Sequence, residues 1–127
     1  MKKIILLVLC TISLIGCSKD KDDNAKNTII GRWQVVGLED TVLYEFTPDL
    51  RYTFYSTDGT FGGLETAIPN PHSWFYEGNT IVIDLNFGNF STFTPVFKCN
   101  GNVVDLVSEI STTTLFREGY DINNCNE

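Results

Sequence analysis

Four cysteines and a single histidine are the residues here whose types bear most directly on chemistry. A thiolate can attack, ligate a metal, carry a lipid or pair as a disulfide, and an imidazole can act as base or ligand. The spacing narrows these options. Cys10 and Cys17 lie near the N-terminus, Cys99 and Cys125 lie far downstream, and no Cys-x-x-Cys occurs. His72 stands in Pro69-Asn70-Pro71-His72, read as a loop, where it is expected to be a solvated side chain that titrates near pH 6–7 and can tune a lid rather than a base. There is no Gly-x-Ser-x-Gly elbow, no phosphate-cradling glycine loop and no nucleophile spaced for a partner base. Acidic pairs such as Glu39-Asp40 read as solvated turn surface. No catalytic, cofactor or metal residue is therefore assigned, and the chain is not expected to be an enzyme.

The two N-terminal cysteines are positioned by a leader. Lys2 and Lys3 precede an apolar stretch, Ile4 to Ile15, too short for a transmembrane helix of about 20 residues and suited to a secretory core. The stretch ends Leu14-Ile15-Gly16-Cys17, which resembles the lipobox of bacterial lipoproteins. The resemblance implies a signal peptide over 1–16 and a mature chain that begins at a lipidated Cys17, anchored by more than one acyl chain and so held stably in a membrane. Residues 17–28 then form the lipidated cysteine and an acidic tether. Its Ser18-Lys19-Asp20-Lys21-Asp22-Asp23 start offers nothing to bury. Residues 18–28 as a flexible chain reach roughly 20 Å. The acidic run resembles the lipoprotein export signal of Bacteroidota, which implies the outer membrane and favours its outer face, while a simple charged spacer facing the periplasm stays open.

Cys10 leaves with the leader and Cys17 carries lipid, so Cys99 and Cys125 remain in an oxidising compartment. They are expected to form a disulfide worth about 3 kcal/mol, pinning the C-terminal tail to the turn at Asn100-Gly101. Metal ligation is the poorer alternative with one histidine available.

The rest, 29–127, reads as one all-β domain. Apolar residues alternate with period two over Gly31–Leu38, Val42–Phe46, Arg51–Tyr55, Ser73–Glu77, Thr80–Leu85, Ser91–Lys98, Val103–Ser108 and Thr112–Glu118, with a short further strand at Thr60–Gly62. Asp58-Gly59, Gly78-Asn79 and Asn100-Gly101 supply turns. About eight strands joined by short connections predict an antiparallel up-and-down barrel, whose closure removes exposed edges.

Gly31-Arg32-Trp33 on the first strand and Arg117 on the last resemble the two ends of the lipocalin signature. Tyr52-x-Phe54 before Asp58-Gly59, and Tyr76-Glu77-Gly78-Asn79-Thr80, resemble the small lipocalin-like domains of Bacteroidota lipoproteins. The resemblance spans residues 29 to about 120. It implies a calycin-type barrel closed at one end by Trp33 with Arg117 stacked across the indole, as a structural pair. The helix that follows a lipocalin barrel is missing from this pattern.

A barrel of this size is either filled by side chains or holds one small ligand. For the second case the candidate pocket aromatics are Tyr44, Phe46, Tyr52, Phe54, Trp74, Tyr76 and Phe97, with Phe93 on the same strand as Phe97. Three readings follow: a binder of a small hydrophobic or amphipathic molecule; a filled barrel contacting protein or glycan through its loops; and a tethered inhibitor using 63–72 as a wedge. Seven basic against sixteen acidic residues leave −9 on the chain after Cys17, which excludes the basic footprint of a nucleic-acid binder. A monomer is expected. Asp40-Thr41-Val42 matches a short Bacteroidota O-glycosylation pattern at Thr41.

Overall fold

A computed structural model describes residues 27–127; the expected signal peptide 1–16, Cys17 and tether residues up to 26 lie outside the described residues. Eight strands run in chain order: β1 (Gly31–Val35), β2 (Val42–Phe46), β3 (Leu50–Tyr55), β4 (His72–Glu77), β5 (Thr80–Asp84), β6 (Phe90–Lys98), β7 (Val103–Val107) and β8 (Thr112–Arg117). Each pairs antiparallel with its sequence neighbour, and β8 returns to β1, giving a closed up-and-down barrel. Among the described residues the helices are three short 3-10 turns, and the one that follows β8 spans Ile122–Asn124.

Local chemistry explains the elements. β-branched and aromatic residues fill the strands, and residues with positive φ make the turns: Gly78 at 61°, and Cys99 and Asn100 at 51° and 59°. Pro95 sits inside β6, but beyond the last β5–β6 pair, Ile81 with Phe93, so that flank of β6 has no ladder for its missing N–H to break. Two expected strands change. Gly31–Leu38 stops at Val35 because Leu38 N donates back to Val35 O at 2.9 Å and turns the chain. Thr60–Gly62 forms no strand: a closed barrel has no free edge to offer it. Gly62 O instead accepts from Arg32 Nη2 at 2.9 Å, drawing this segment across the outside of the barrel.

The interior core comprises Ile29, Trp33, Val35, Val42, Phe46, Trp74, Ile81, Ile83, Val104, Leu106 and Leu115. Burying one such large side chain contributes about 1.5–3 kcal/mol. Both indole N–H groups are satisfied, Trp33 Nε1 donating to Ile29 O at 2.7 Å and Trp74 Nε1 to Thr47 O at 2.8 Å.

Arg117 and Trp33 pack together at one end of the barrel. Arg117 lies 4.0 Å over the Trp33 ring. Its Nη1 donates to Ile30 O and its Nη2 to Thr28 O, both at 2.7 Å, and its Nε to Gly101 O at 3.2 Å. Gly31 makes this approach feasible: its φ is 130°, and a Cβ there would overlap Arg117 Nη1. Thr28, assigned by composition to the tether, is thus held to the barrel. Cys99 and Cys125 are joined as a disulfide across 26 residues at this same end. Their sulfurs are thereby spent on each other, although Glu127 lies close enough to complete a three-ligand cluster.

Candidate functional site

Strand register decides which side chains enter the barrel. Tyr44 stands opposite Thr53 and Phe46 opposite Arg51, and Arg51 in turn opposes His72 on β4. Side chains directly opposite share a face, so with Phe46 in the core Arg51 and His72 also face inward, and Thr53 and Tyr55 follow by alternation. On β3 the pattern is thereby inverted: a basic and two hydroxyl-bearing residues face in, while Tyr52 and Phe54 face out.

β3 and β4 pair only at Leu50–Ser73 and Arg51–His72. Beyond that, the incoming chain keeps one bond, Ile68 N to Thr53 O at 2.9 Å, and spreads away from β3. The parting opens a cleft of about 430 Å³ at the barrel end opposite Trp33. One wall is Tyr44, Arg51, Thr53 and Tyr55; the second is Ile68 to His72; the third is Leu85, Asn86 and Phe87 from the β5–β6 turn. The volume falls in the range of small-molecule sites, about 300–1,000 Å³. Phe87 is 98% exposed and holds a positive φ of 57°, unusual for a bulky residue.

Arg51 dominates the electrostatics. Its guanidinium carbon lies 4.8 Å over the Tyr44 ring, and Nη2 is 2.9 Å from His72 Nδ1. Arginine only donates, so Nδ1 carries the lone pair and the His72 proton resides on Nε2. Burial, followed by the positive charge of Arg51, pulls the His72 pKa below its ordinary value against a weaker opposing pull from Asp84. Burial also lowers the Arg51 pKa, yet an arginine stays protonated near neutral pH. Arg51 Nε is buried and finds no acceptor among the described residues. An unmatched buried donor costs about 1–3 kcal/mol, more when charged.

The other two arginines of the barrel differ sharply. Arg117 is saturated by three carbonyls and an indole. Arg32 ion-pairs on the outer surface with Glu45 at 2.8 Å and Glu118 at 2.9 Å, over the Phe54 ring. Among the described residues Arg51, like Arg117, has no carboxylate partner, and it alone of the three has a single acceptor.

The expected pocket aromatics therefore separate. Tyr44 lines the cleft. Phe46 and Trp74 are core, packed edge to face at 5.7 Å, and Tyr76 meets Trp74 edge-on at 5.6 Å while remaining 47% exposed. Phe93 and Phe97 pack half-buried against the same core. Tyr52 and Phe54 do not line the cleft. Phe54 is buried on the outer face beneath Arg32, where Gly62 also converges. The barrel is filled at its closed end and open at the other. His72 is part of β4, not a loop, and its ring is engaged by Arg51. The 63–72 segment contributes Ile68 to Pro71 to the cleft wall. Thr41 is exposed in the β1–β2 connection, its backbone N–H bonded to Leu38 O.

Sequence reasoning missed Arg51, Thr53, Tyr55, Ile68, Leu85 and Phe87. A charged residue on a strand reads as solvent-facing, and the outer cover that lets Phe54 point away is not a local property. A signal did exist. The short connection 47–49 makes Phe46 and Arg51 direct partners, so an inward Phe46 requires an inward Arg51. No protein-family model, curated protein or solved structure matches this chain.

Proposed function

We propose that this chain is a lipid-anchored, non-catalytic carrier that holds a small amphipathic molecule in the open end of a lipocalin-like barrel. The observation that carries the reading is the cleft of about 430 Å³, with Tyr44, Ile68 and Leu85 offering apolar surface beside the polar Arg51, Thr53 and His72. Apolar walls with a few convergent polar groups are what small-molecule sites are made of. The closed end, plugged by Trp33 and Arg117, gives the cleft a rigid floor. The non-catalytic half of the reading is supported by His72, the one imidazole of the chain, whose Nδ1 lone pair is committed to Arg51.

The anchoring half is supported by the Leu14-Ile15-Gly16-Cys17 pattern. Thr28 meets the barrel at the Arg117 end, so chain leading from an anchor joins the end opposite the cleft. Such a carrier sits in the outer membrane with its cleft directed away from the attachment point.

Native mass spectrometry of the protein isolated from its own host tests the ligand. A discrete extra mass lost on denaturation is expected, and a bare lipidated polypeptide in every preparation would overturn the carrier reading. Membrane fractionation of Cys17→Ala tests the anchor, with loss from the outer-membrane fraction expected.

A further inference from the structure

We infer that the molecule taken by the cleft is an anionic amphipath, a carboxylate on an apolar tail, and that Arg51 is the residue that binds its head group. The inference rests on the carrier reading and names its ligand class.

A chain with sixteen acidic residues pairs its surface cations readily: Arg32 takes two carboxylates and Lys98 takes Asp105. Arg51, placed by register on the inner face and lining the cleft, takes none among the described residues. Its partners are a neutral imidazole and the face of a tyrosine ring. Both orient a guanidinium without cancelling its charge. Nε meanwhile is sequestered without an acceptor.

A guanidinium cannot escape this by releasing its proton, as a lysine can. Nε is buried out of reach of a solute, so a group that compensates the charge from the cleft must bring an acceptor and a negative charge to the terminal nitrogens, and a carboxylate does both. The surroundings then select the rest of the molecule. Tyr44, Ile68, Pro69, Leu85 and Phe87 are apolar cleft lining that a hydrocarbon or aromatic tail would cover. His72 acts as a positioning residue, its Nδ1 fixing one edge of the guanidinium. Asp84 acts on His72 through its charge and forms no ion pair with Arg51.

The test compares ligands that differ only in head-group charge. Octanoate and octanamide are titrated calorimetrically at pH 7.5 into the full chain in lipid nanodiscs, with empty nanodiscs as blank, for wild type, Arg51→Met and Arg51→Lys. Octanoate is expected to bind at least tenfold more tightly than octanamide to wild type. Arg51→Met is expected to remove that preference while leaving octanamide within about twofold, and Arg51→Lys to restore part of it. Equal binding of both ligands to wild type, or a preference that survives in Arg51→Met, overturns the anionic assignment and leaves the carrier reading standing. Saturable binding of neither ligand overturns both. Should Arg51→Met fail to fold, as read by circular dichroism, the wild-type preference and its partial retention in Arg51→Lys decide the question.

Discussion

The Arg117 guanidinium and the Gly31 backbone share one volume: Nη1 passes where a Gly31 Cβ would stand and donates to Ile30 O at 2.7 Å. The glycine is required twice over, by this approach and by its φ of 130°. Gly31→Ala is therefore expected to destabilise the barrel by about 2–4 kcal/mol, combining an unfavourable backbone conformation with displacement of Arg117. Arg117→Ala should cost a similar amount, through three lost hydrogen bonds and the stack on Trp33. Because both changes disrupt one contact, the double variant should lose less than the sum. Urea denaturation of the two single variants and the double variant checks this; simple additivity would show that the two residues act independently.

Phe54 points out of the barrel and is nevertheless 1% exposed, whereas its neighbour Tyr55 points in and is 66% exposed at the rim. Phe54→Ala should therefore cost about 3–5 kcal/mol, as a core deletion does. Tyr55→Ala should change stability by less than about 1 kcal/mol while reshaping the cleft. Thermal unfolding of the two variants reads the difference, and the opposite order would reverse the face assignment of β3.

The Cys99–Cys125 bridge joins the tail to the β6–β7 turn at the closed end, remote from the cleft. Reduction, or the paired change Cys99→Ala with Cys125→Ala, should lower stability by about 3 kcal/mol in the chain-entropy account. Ligand affinity should be unaltered in the folded fraction. Calorimetric unfolding with and without reductant, paired with a binding titration, separates the two effects.

His72 carries a pH signature whose sign follows from its environment. Its pKa is lowered on folding by burial first and by Arg51 second, so the unfolded chain binds the proton more readily. The associated stability is complete above the ordinary imidazole value of about 6.5 and declines as pH falls through that value towards the lower folded one. Protonation also removes the lone pair that accepts from Arg51 Nη2. Chemical denaturation between pH 7.5 and 5 should show wild type losing stability faster than His72→Gln, and parallel curves would exclude the imidazole as the cause. Asp105 contributes in a lower window. Burial tends to raise its pKa, but the hydrogen bonds from Lys98 and Thr114 outweigh that and lower it, so its contribution is present above the usual aspartate range and lost below it.

Much of this molecule is local in origin and was therefore readable. Alternation from Val42 to Phe46 and from Thr80 to Asp84, punctuated by Gly78-Asn79, is a property of neighbouring residues, and the strands appear where it places them. Gly31, Trp33 and Arg117 were picked out through their resemblance to the lipocalin signature, and in the structure Arg117 packs on the Trp33 indole against Gly31. The Cys99–Cys125 pair was legible by counting thiols.

The cleft was not legible, because two nonlocal facts and one short connection together create it. Closure of the barrel leaves Thr60–Gly62 no edge, and that segment crosses the outer face, allowing Phe54 to be buried there. The short connection 47–49 fixes Phe46 opposite Arg51 and so turns a charge inward. The parting of β3 from β4 beyond Arg51 and His72 then gives that charge a space to face. Sequence by itself determined the periodicity and the turns, since these depend on backbone preferences and residue type, while the Trp33–Arg117 pair was reached through a resemblance. Tertiary structure alone decided which face of β3 is inside, since a strand presents two faces of equal backbone geometry and only its partners and their coverings make one of them the interior.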